Sequence, residues 1–87
     1  MQGLIQKKVD PEYPDAARKA RVQGKVILEV TVNKDGSVKN IRLVSGHPLL
    51  APAAIDAVKQ WEYKPFLLNG KPVEVLTQVQ VNFTLAD

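Results

Sequence analysis

The sequence predicts a two-layer α+β domain in which a three-stranded antiparallel sheet packs against helices. Two segments, residues 25–33 and 75–85, alternate apolar and polar side chains, as half-buried strands do. An Asp35-Gly36 turn joins the first of them to a third extended segment. Apolar residues recur at helical spacing over residues 50–63. The predicted order is helix, strand, strand, helix, strand.

The length of the chain limits it to one small domain. It has 87 residues, of which 45% are hydrophobic and 24% charged, the balance of an ordinary globular protein. Residues 1–10 show no period and are predicted to be an approach segment, the end of a linker. Residues 11–87 are predicted to form the domain itself.

The first helix is predicted to begin at Tyr13-Pro14-Asp15. Proline is compatible with the first turn of a helix, and the carboxylate of Asp15 complements the positive end of the helix dipole. Alanines at positions 16, 17 and 20 favour the helix, and Gly24 is the predicted stop.

The first two strands form a predicted hairpin. The Asp-Gly pair supplies the positive φ angles that a tight turn needs. The return strand, residues 37–45, loses its alternation between Val38 and Ile41, which predicts a β-bulge.

The second helix is predicted over Leu50 to Tyr63, where Pro65 ends it. Its apolar stripe includes Trp61, which is predicted to be a core anchor, with exposure for binding as the alternative. The segment from Phe66 to Pro72 then contains an Asn69-Gly70 turn and is predicted to be a small hairpin or looped insertion.

The last strand has the most regular alternation in the chain. A strand order of second, first, last makes it antiparallel to its neighbour and leaves it at a sheet edge, where it can accept another strand. The predicted core of the whole domain is Val26, Leu28, Val30, Val32, Ile41, Leu43, Ala54, Val58, Trp61, Val79, Val81 and Phe83.

The sequence offers no pattern typical of catalysis or of cofactor binding. The chain lacks cysteine and has one histidine, His47, which lies between glycine and proline in a predicted turn. The carboxylates are spread over every element, so no acid–base pair is apparent. The net charge is +3 and the basic residues are scattered, which does not favour nucleic-acid binding. We therefore expect a non-enzymatic protein with no cofactor, no metal site and no nucleic-acid partner.

A series of short motifs resembles the C-terminal domain of TonB energy-transducer proteins. In the first half they are Tyr13-Pro14, Ala17-Arg18, Gly24, Val30-Thr31-Val32 and Asp35-Gly36-Ser37-Val38. In the second half they are Ser45-Gly46-His47-Pro48-Leu49-Leu50, Ala54, Ala57-Val58, Trp61-Glu62-Tyr63-Lys64-Pro65 and the closing alternating strand. The resemblance extends from about Pro11 to Leu85 and rests on the order and spacing of these motifs.

The resemblance implies a function in transport across the outer membrane. Such a domain lies in the periplasm, and its protein is anchored in the inner membrane by an N-terminal helix and driven by an ExbB–ExbD-like complex. It binds the TonB box of an outer-membrane transporter by β-strand addition and transmits a pull that the proton-motive force powers. The residues implied in this contact are Gln6, Lys7, Lys8, Val9, Val75, Leu76, Thr77, Gln78, Val79, Gln80, Val81, Asn82 and Phe83.

Two alternatives remain open at this point: a small enzyme or nucleic-acid binder, which the residues do not favour, and an interaction or dimerisation module of another membrane protein. Similar domains are found appended to other membrane proteins such as peptidase-like sensors, where this chain would be an interaction or dimerisation module. A homodimer through the last strand is a related expectation. The insertion from Phe66 to Pro72 is longer than in the best-known members of the family, which bears on partner choice because it lies just before the docking strand.

Overall fold

A computed structural model describes residues 5–85 of the chain and confirms the predicted α+β class. The elements are β1 (Ile5–Lys7), α1 (Asp15–Lys19), β2 (Gly24–Val32), β3 (Val38–Ser45), α2 (Ala51–Lys59), β4 (Glu62–Tyr63), β5 (Phe66–Leu68), β6 (Lys71–Val73) and β7 (Val75–Phe83). The predicted linker and domain, residues 1–10 and 11–87, each extend in part outside the described residues. Neither helix in the described part of the chain is long and apolar enough to cross a bilayer.

The main sheet has the predicted strand order, β3-β2-β7, and is antiparallel throughout. The last strand therefore lies at an edge, as the sequence predicted. The register of β2 and β7 is regular over nine residues, from Gly24 opposite Phe83 to Val32 opposite Val75. The predicted bulge in β3 is confirmed, because Val32 pairs with Val38 but Thr31 pairs with Asn40, which leaves Lys39 without an opposite residue.

The core lies between the inner face of this sheet and helix α2. Alternate side chains of β2 and β7 point inward, so that β2 contributes four residues that are at most 1% exposed. Helix α2 covers them with an apolar stripe that continues to Trp61, whose burial confirms its predicted role as a core anchor. The buried cluster is Ala17, Val26, Leu28, Val30, Val32, Leu50, Ala54, Val58, Trp61, Tyr63, Val79, Val81 and Phe83.

The prediction that Leu43 is a core residue is wrong, and Ile41, another predicted core residue, is only half-buried. Leu43 lies opposite Leu28 on β3 but is 41% exposed, whereas Ile41 packs against the cluster from its margin. Helix α2 has nine residues and is about 14 Å long, while β3, an eight-residue strand, spans about 26 Å. The helix is therefore too short to cover the whole of the edge strand.

The second helix is shorter than predicted at its C-terminal end. It ends at Lys59, and residues Glu62 and Tyr63, which the periodicity placed in the helix, form β4. The backbone becomes extended here because the N–H of Tyr63 donates to the carbonyl of Gly36, in the hairpin turn, at 2.8 Å. β4 pairs with β1 in a second small sheet that the sequence did not predict.

The first helix also ends before its predicted stop. It has five residues, and Arg21, with a φ of 55°, makes the turn that follows it. Gly24 is instead the first residue of β2. The predicted Asn-Gly hairpin is confirmed, because β5 and β6 pair on either side of Asn69 and Gly70, which have φ angles of 52° and 78°.

Candidate functional site

One side of β7 has no strand beside it among residues 5–85. The N–H of Leu85, just beyond the strand, donates to the side chain of Gln23 on the β2 side at 2.8 Å. At the other end of β2, the N–H of Asn33 donates toward β3, to the carbonyl of Ser37. Because backbone groups alternate sides along a strand, odd-numbered residues of β7 bond to β2. The open side therefore presents the N–H and C=O groups of Leu76, Gln78, Gln80 and Asn82.

The two edges of the main sheet differ in charge. β3 carries Lys39 and Arg42, and each forms an ion pair, Lys39 with Glu74 at 3.3 Å and Arg42 with Glu29 at 3.1 Å. The hydrogen bond from Arg42 holds the pKa of Glu29 below its ordinary value, so this pair stays ionised near neutral pH. β7 has no charged residue between Val75 and Phe83. Charged side chains discourage strand addition, so β3 is protected and β7 is open to it.

The side chains of β7 leave its backbone as the accessible part. Val79, Val81 and Phe83 are buried in the core, and the ring of Phe83 packs edge-on against Tyr13 with centroids 5.5 Å apart. Gln80 and Asn82 are exposed on the opposite face and are joined by a hydrogen bond of 3.1 Å. A partner at this edge therefore meets main-chain donors and acceptors rather than buried side chains.

The N-terminal residues form a strap, defined here as residues 5–11, that is attached to the body at three points. β1 pairs with β4, and the ammonium of Lys7 lies 3.9 Å from the carboxylate of Glu62. The indole N–H of Trp61 donates to the carbonyl oxygen of Val9 at 2.8 Å. The Lys8 ammonium lies 5.6 Å from the centre of the Trp61 ring, in a cation–π contact.

A groove of about 200 Å³ separates the strap from the end of β7. It is lined by Lys8, Asp10 and Pro11 of the strap, by Gln80, Val81 and Asn82 of β7, and by Trp61. The structure thus places Lys8 near Gln80–Asn82, which are parts of the two regions that the family resemblance implied in partner contact. Gln6 and Lys7 line a different groove with the hairpin turn, and Val75 to Gln78 do not line the groove of about 200 Å³.

Three residues of this groove were not among the sequence-predicted site residues: Asp10, Pro11 and Trp61. Trp61 was assigned to the core, where its ring indeed lies, and nothing in the helical spacing indicates that its N–H binds a residue 52 positions away. Asp10 and Pro11 directly follow the predicted segment Gln6–Val9, and this is the one sequence signal that could have extended the site.

His47, the one histidine, is part of a turn. Its Nδ1 accepts a hydrogen bond from the N–H of Leu49 at 3.0 Å, and the side chain is exposed, as the sequence predicted. Within residues 5–85, no three histidine or carboxylate side chains are grouped so that they could hold a metal ion.

Known proteins resemble this chain over most of its length. The family described as Gram-negative bacterial TonB protein C-terminal matches residues 9–85. TonB of Vibrio cholerae is 33% identical over 84 residues, which cover 94% of this chain and 34% of that protein. TonB of Xanthomonas campestris is 40% identical over 77 residues, which cover 86% of this chain and 34% of that protein.

A solved structure shows the same fold. The C-terminal domain of TonB from Pseudomonas aeruginosa, determined by solution NMR, superimposes with a TM-score of 0.79 at 21% identity, covering 95% of this chain and 86% of that one. The chain spans about a third of the length of the curated relatives that it matches. The residues matched, the shared fold and the predicted motifs agree, and the chain belongs to the TonB C-terminal domain family.

Proposed function

We propose that this chain is the periplasmic domain of a TonB-like energy transducer and binds the TonB box of an outer-membrane transporter by β-strand addition. The observation that carries the proposal is the uncharged, unpaired edge of β7, which contrasts with the charged edge of β3. The contact residues are the open backbone groups of β7 and the strap segment Gln6–Val9. The domain has no catalytic role in this proposal.

The open edge is suited to a contact that holds briefly and releases. Four residues face outward, and each net backbone hydrogen bond contributes about 0.5–1.5 kcal/mol. The ordering of a flexible peptide subtracts from this sum, so the affinity at rest is modest. A pull along the ladder, however, must break several bonds together, and this gives the contact mechanical strength while it lasts.

The strap lies between the docking edge and the part of the chain through which the pull would act. In the proposed protein, an inner-membrane anchor and an ExbB–ExbD-like complex act through chain N-terminal to residue 5. Load therefore enters the domain at β1. The strap that begins with β1 lines the same groove as Gln80–Asn82. A docked peptide that fills this groove would contact both the strap and β7.

A peptide with the TonB box sequence of a transporter from the same organism tests the proposal. On titration, the amide signals of residues 76–82 and Lys8 should shift in heteronuclear NMR spectra. N-methylation of alternate peptide residues should abolish binding, while N-methylation of the intervening ones should be tolerated, because only one set bonds to β7. This test leaves the protein unchanged, so folding cannot confound it.

Two variants of the protein complete the design. Gln80→Ala should weaken binding less than about threefold, since the contact is with the backbone. Gln80→Pro should weaken it much more, because position 80 loses its outward donor, provided that the spectrum shows a folded domain. Shifts confined to the two helices or to the surroundings of His47 would contradict strand addition.

A further inference from the structure

The arm formed by β5 and β6 is the part of the molecule that strand addition to β7 leaves unused. Leu67 and Leu68 at its tip are 57% and 58% exposed. Successive side chains of a strand point to opposite faces, so both faces of the arm present an exposed leucine. The molecule is elongated, 48 Å by 20 Å by 15 Å, with a radius of gyration of 14.1 Å against about 12 Å for a compact chain of this length.

The open edge of β7 continues into the arm. In a two-residue hairpin the residues flanking the turn, here Leu68 and Lys71, bond to each other. Lys71 and Val73 therefore bond to β5, and Pro72 faces away from it. Only Glu74 separates β6 from β7, and odd-numbered residues bond inward in both strands. β5 and β2 thus lie on the same side of the chain that runs through β6 and β7. Among residues 5–85, no strand lies beside its other side from Pro72 to Asn82.

Pro72 ends the backbone ladder at this point. Proline has no N–H to donate, so a strand added to β7 cannot continue its hydrogen bonds along β6. A chain that passes beyond Val75 first meets β6, because β5 lies on the far side of β6 from the open edge. What the arm can still offer to it is apolar side-chain contact across the face of the hairpin. The nearest exposed apolar residue of β7, Leu76, is 62% exposed and lies at the same end of the strand.

We infer that the arm is a second contact for the partner polypeptide, which meets Leu67 and Leu68 with apolar residues flanking the strand that β7 binds. This inference rests on the proposed function, because the arm is reached by continuing from the docked strand. It assigns to the insertion a role in partner choice: transporters with apolar residues at this end of the TonB box bind more tightly than those with polar ones.

Peptides of graded length test the inference. The probe is the TonB box peptide described above, alone or extended by four residues at either terminus, with Leu-Val-Leu-Val or with Ser-Thr-Ser-Thr. The apolar extension at one terminus should tighten binding about tenfold, which is what removing roughly 60 Å² of apolar surface from water provides. The polar extension should change the affinity less than about twofold. The peptide terminus at which the apolar extension tightens binding also shows in which direction the partner strand runs along β7.

The double variant Leu67→Ser with Leu68→Ser should lose this gain and still bind the short peptide as the parent chain does. A matched control, Leu43→Ser with Leu49→Ser, replaces two other exposed leucines away from the arm and should keep the gain. Heteronuclear NMR spectra of the amides should show that both variants are folded.

Failure of the inference is distinguishable from failure of the proposed function. If the short peptide binds β7 and the apolar extension adds nothing, or adds a gain that the arm variant keeps, the arm is not a contact. If the short peptide does not bind at β7, strand addition fails and the inference fails with it. If the arm variant changes only the self-association of the chain, the occupant of the arm is a second copy, which also overturns the inference.

Discussion

The side chain of Trp61 contacts two different parts of the molecule. Its ring packs with the core cluster and is 3% exposed, while its N–H holds the strap through Val9. Tyr63, two residues further on, is also buried in the core, but its hydroxyl has no hydrogen-bond partner among the residues that the structure describes. The polar group of Trp61 is hydrogen-bonded, whereas that of Tyr63 is not paired in the described structure. Removing the two side-chain groups is therefore expected to change the free energy of unfolding in opposite directions.

Replacement of Trp61 by alanine should lower the free energy of unfolding by about 3–5 kcal/mol, as expected for truncating a buried aromatic residue. The loss has two sources, the cavity left under α2 and the lost bond to Val9. Chemical denaturation monitored by circular dichroism measures it. A change below about 1 kcal/mol would mean that the ring is not a core anchor.

Replacement of Tyr63 by phenylalanine should raise the free energy of unfolding by about 1 kcal/mol at neutral pH. The hydroxyl is removed from water without a partner, and a buried unpaired polar group carries a cost of about that size. Denaturation of the two proteins side by side checks the sign. A loss of stability would show that the hydroxyl is bonded, for example through a water molecule.

The same substitution should change the alkaline limb of the stability curve. Burial raises the pKa of Tyr63, whereas in the unfolded chain a tyrosine loses its proton near pH 10. Above about that pH the unfolded state binds fewer protons, so the free energy of unfolding falls as the pH rises toward the folded-state pKa. Tyr63→Phe should therefore flatten the slope of stability against pH above about 10 and leave it unchanged at lower pH.

Among the elements, the strap and β7 differ most in how firmly they are held. β1 has three residues and two paired positions, Ile5 with Tyr63 and Lys7 with Glu62, whereas β7 pairs with β2 at nine positions. Short pairings with exposed backbone open at low free energy, and long buried ones open only with the whole fold. The strap is therefore the first element that a pull from the N-terminal side would detach.

Trp61→Phe should release the strap while keeping most of the core. The phenyl ring fills much of the indole volume but cannot donate to Val9. Hydrogen exchange of residues 5–9 should quicken about fivefold, as expected for the loss of a bond worth about 1 kcal/mol, and the amides of β2 and β7 should change much less. Unchanged exchange in the strap would show that β1 pairing alone holds it.

At the scale of the whole molecule, both edges of the main sheet lack a neighbouring strand among residues 5–85, and only the edge of β7 is uncharged. An unpaired and uncharged edge invites strand addition by any suitable chain, including a second copy of the same chain. A symmetric pair through β7 would place two antiparallel nine-residue strands side by side. This pairing competes with the proposed partner for the same backbone groups.

The chain should therefore self-associate weakly, at about millimolar concentration, as expected for a few net hydrogen bonds. Sedimentation velocity over a concentration series measures this. The variant Gln78→Lys with Gln80→Lys places charges on the edge at exposed positions and should remain monomeric with stability within about 0.5 kcal/mol of the parent. A parent chain that is strictly monomeric at that concentration would count against an open edge.

The sequence by itself determined the main elements, their order and the family of the chain. Alternation over residues 25–33 and 75–85 and helical spacing over residues 50–58 are local signals, because each records which face of one element is buried. The strand order followed from them once the hairpin turn had fixed the first pair. The open edge of β7, and hence half of the candidate site, could be predicted in this way.

Only the tertiary structure decided where the strap lies and how the second helix ends. β1 and β4 are three and two residues long, too short to show a period, and each is extended because the other lies beside it. The helix gives way to β4 because Tyr63 bonds to Gly36, and the strap crosses Trp61 because an indole N–H needs a partner on burial. These contacts join residues that are distant in the chain, and the alternation and helical spacing of a sequence carry no information about which distant residues will meet.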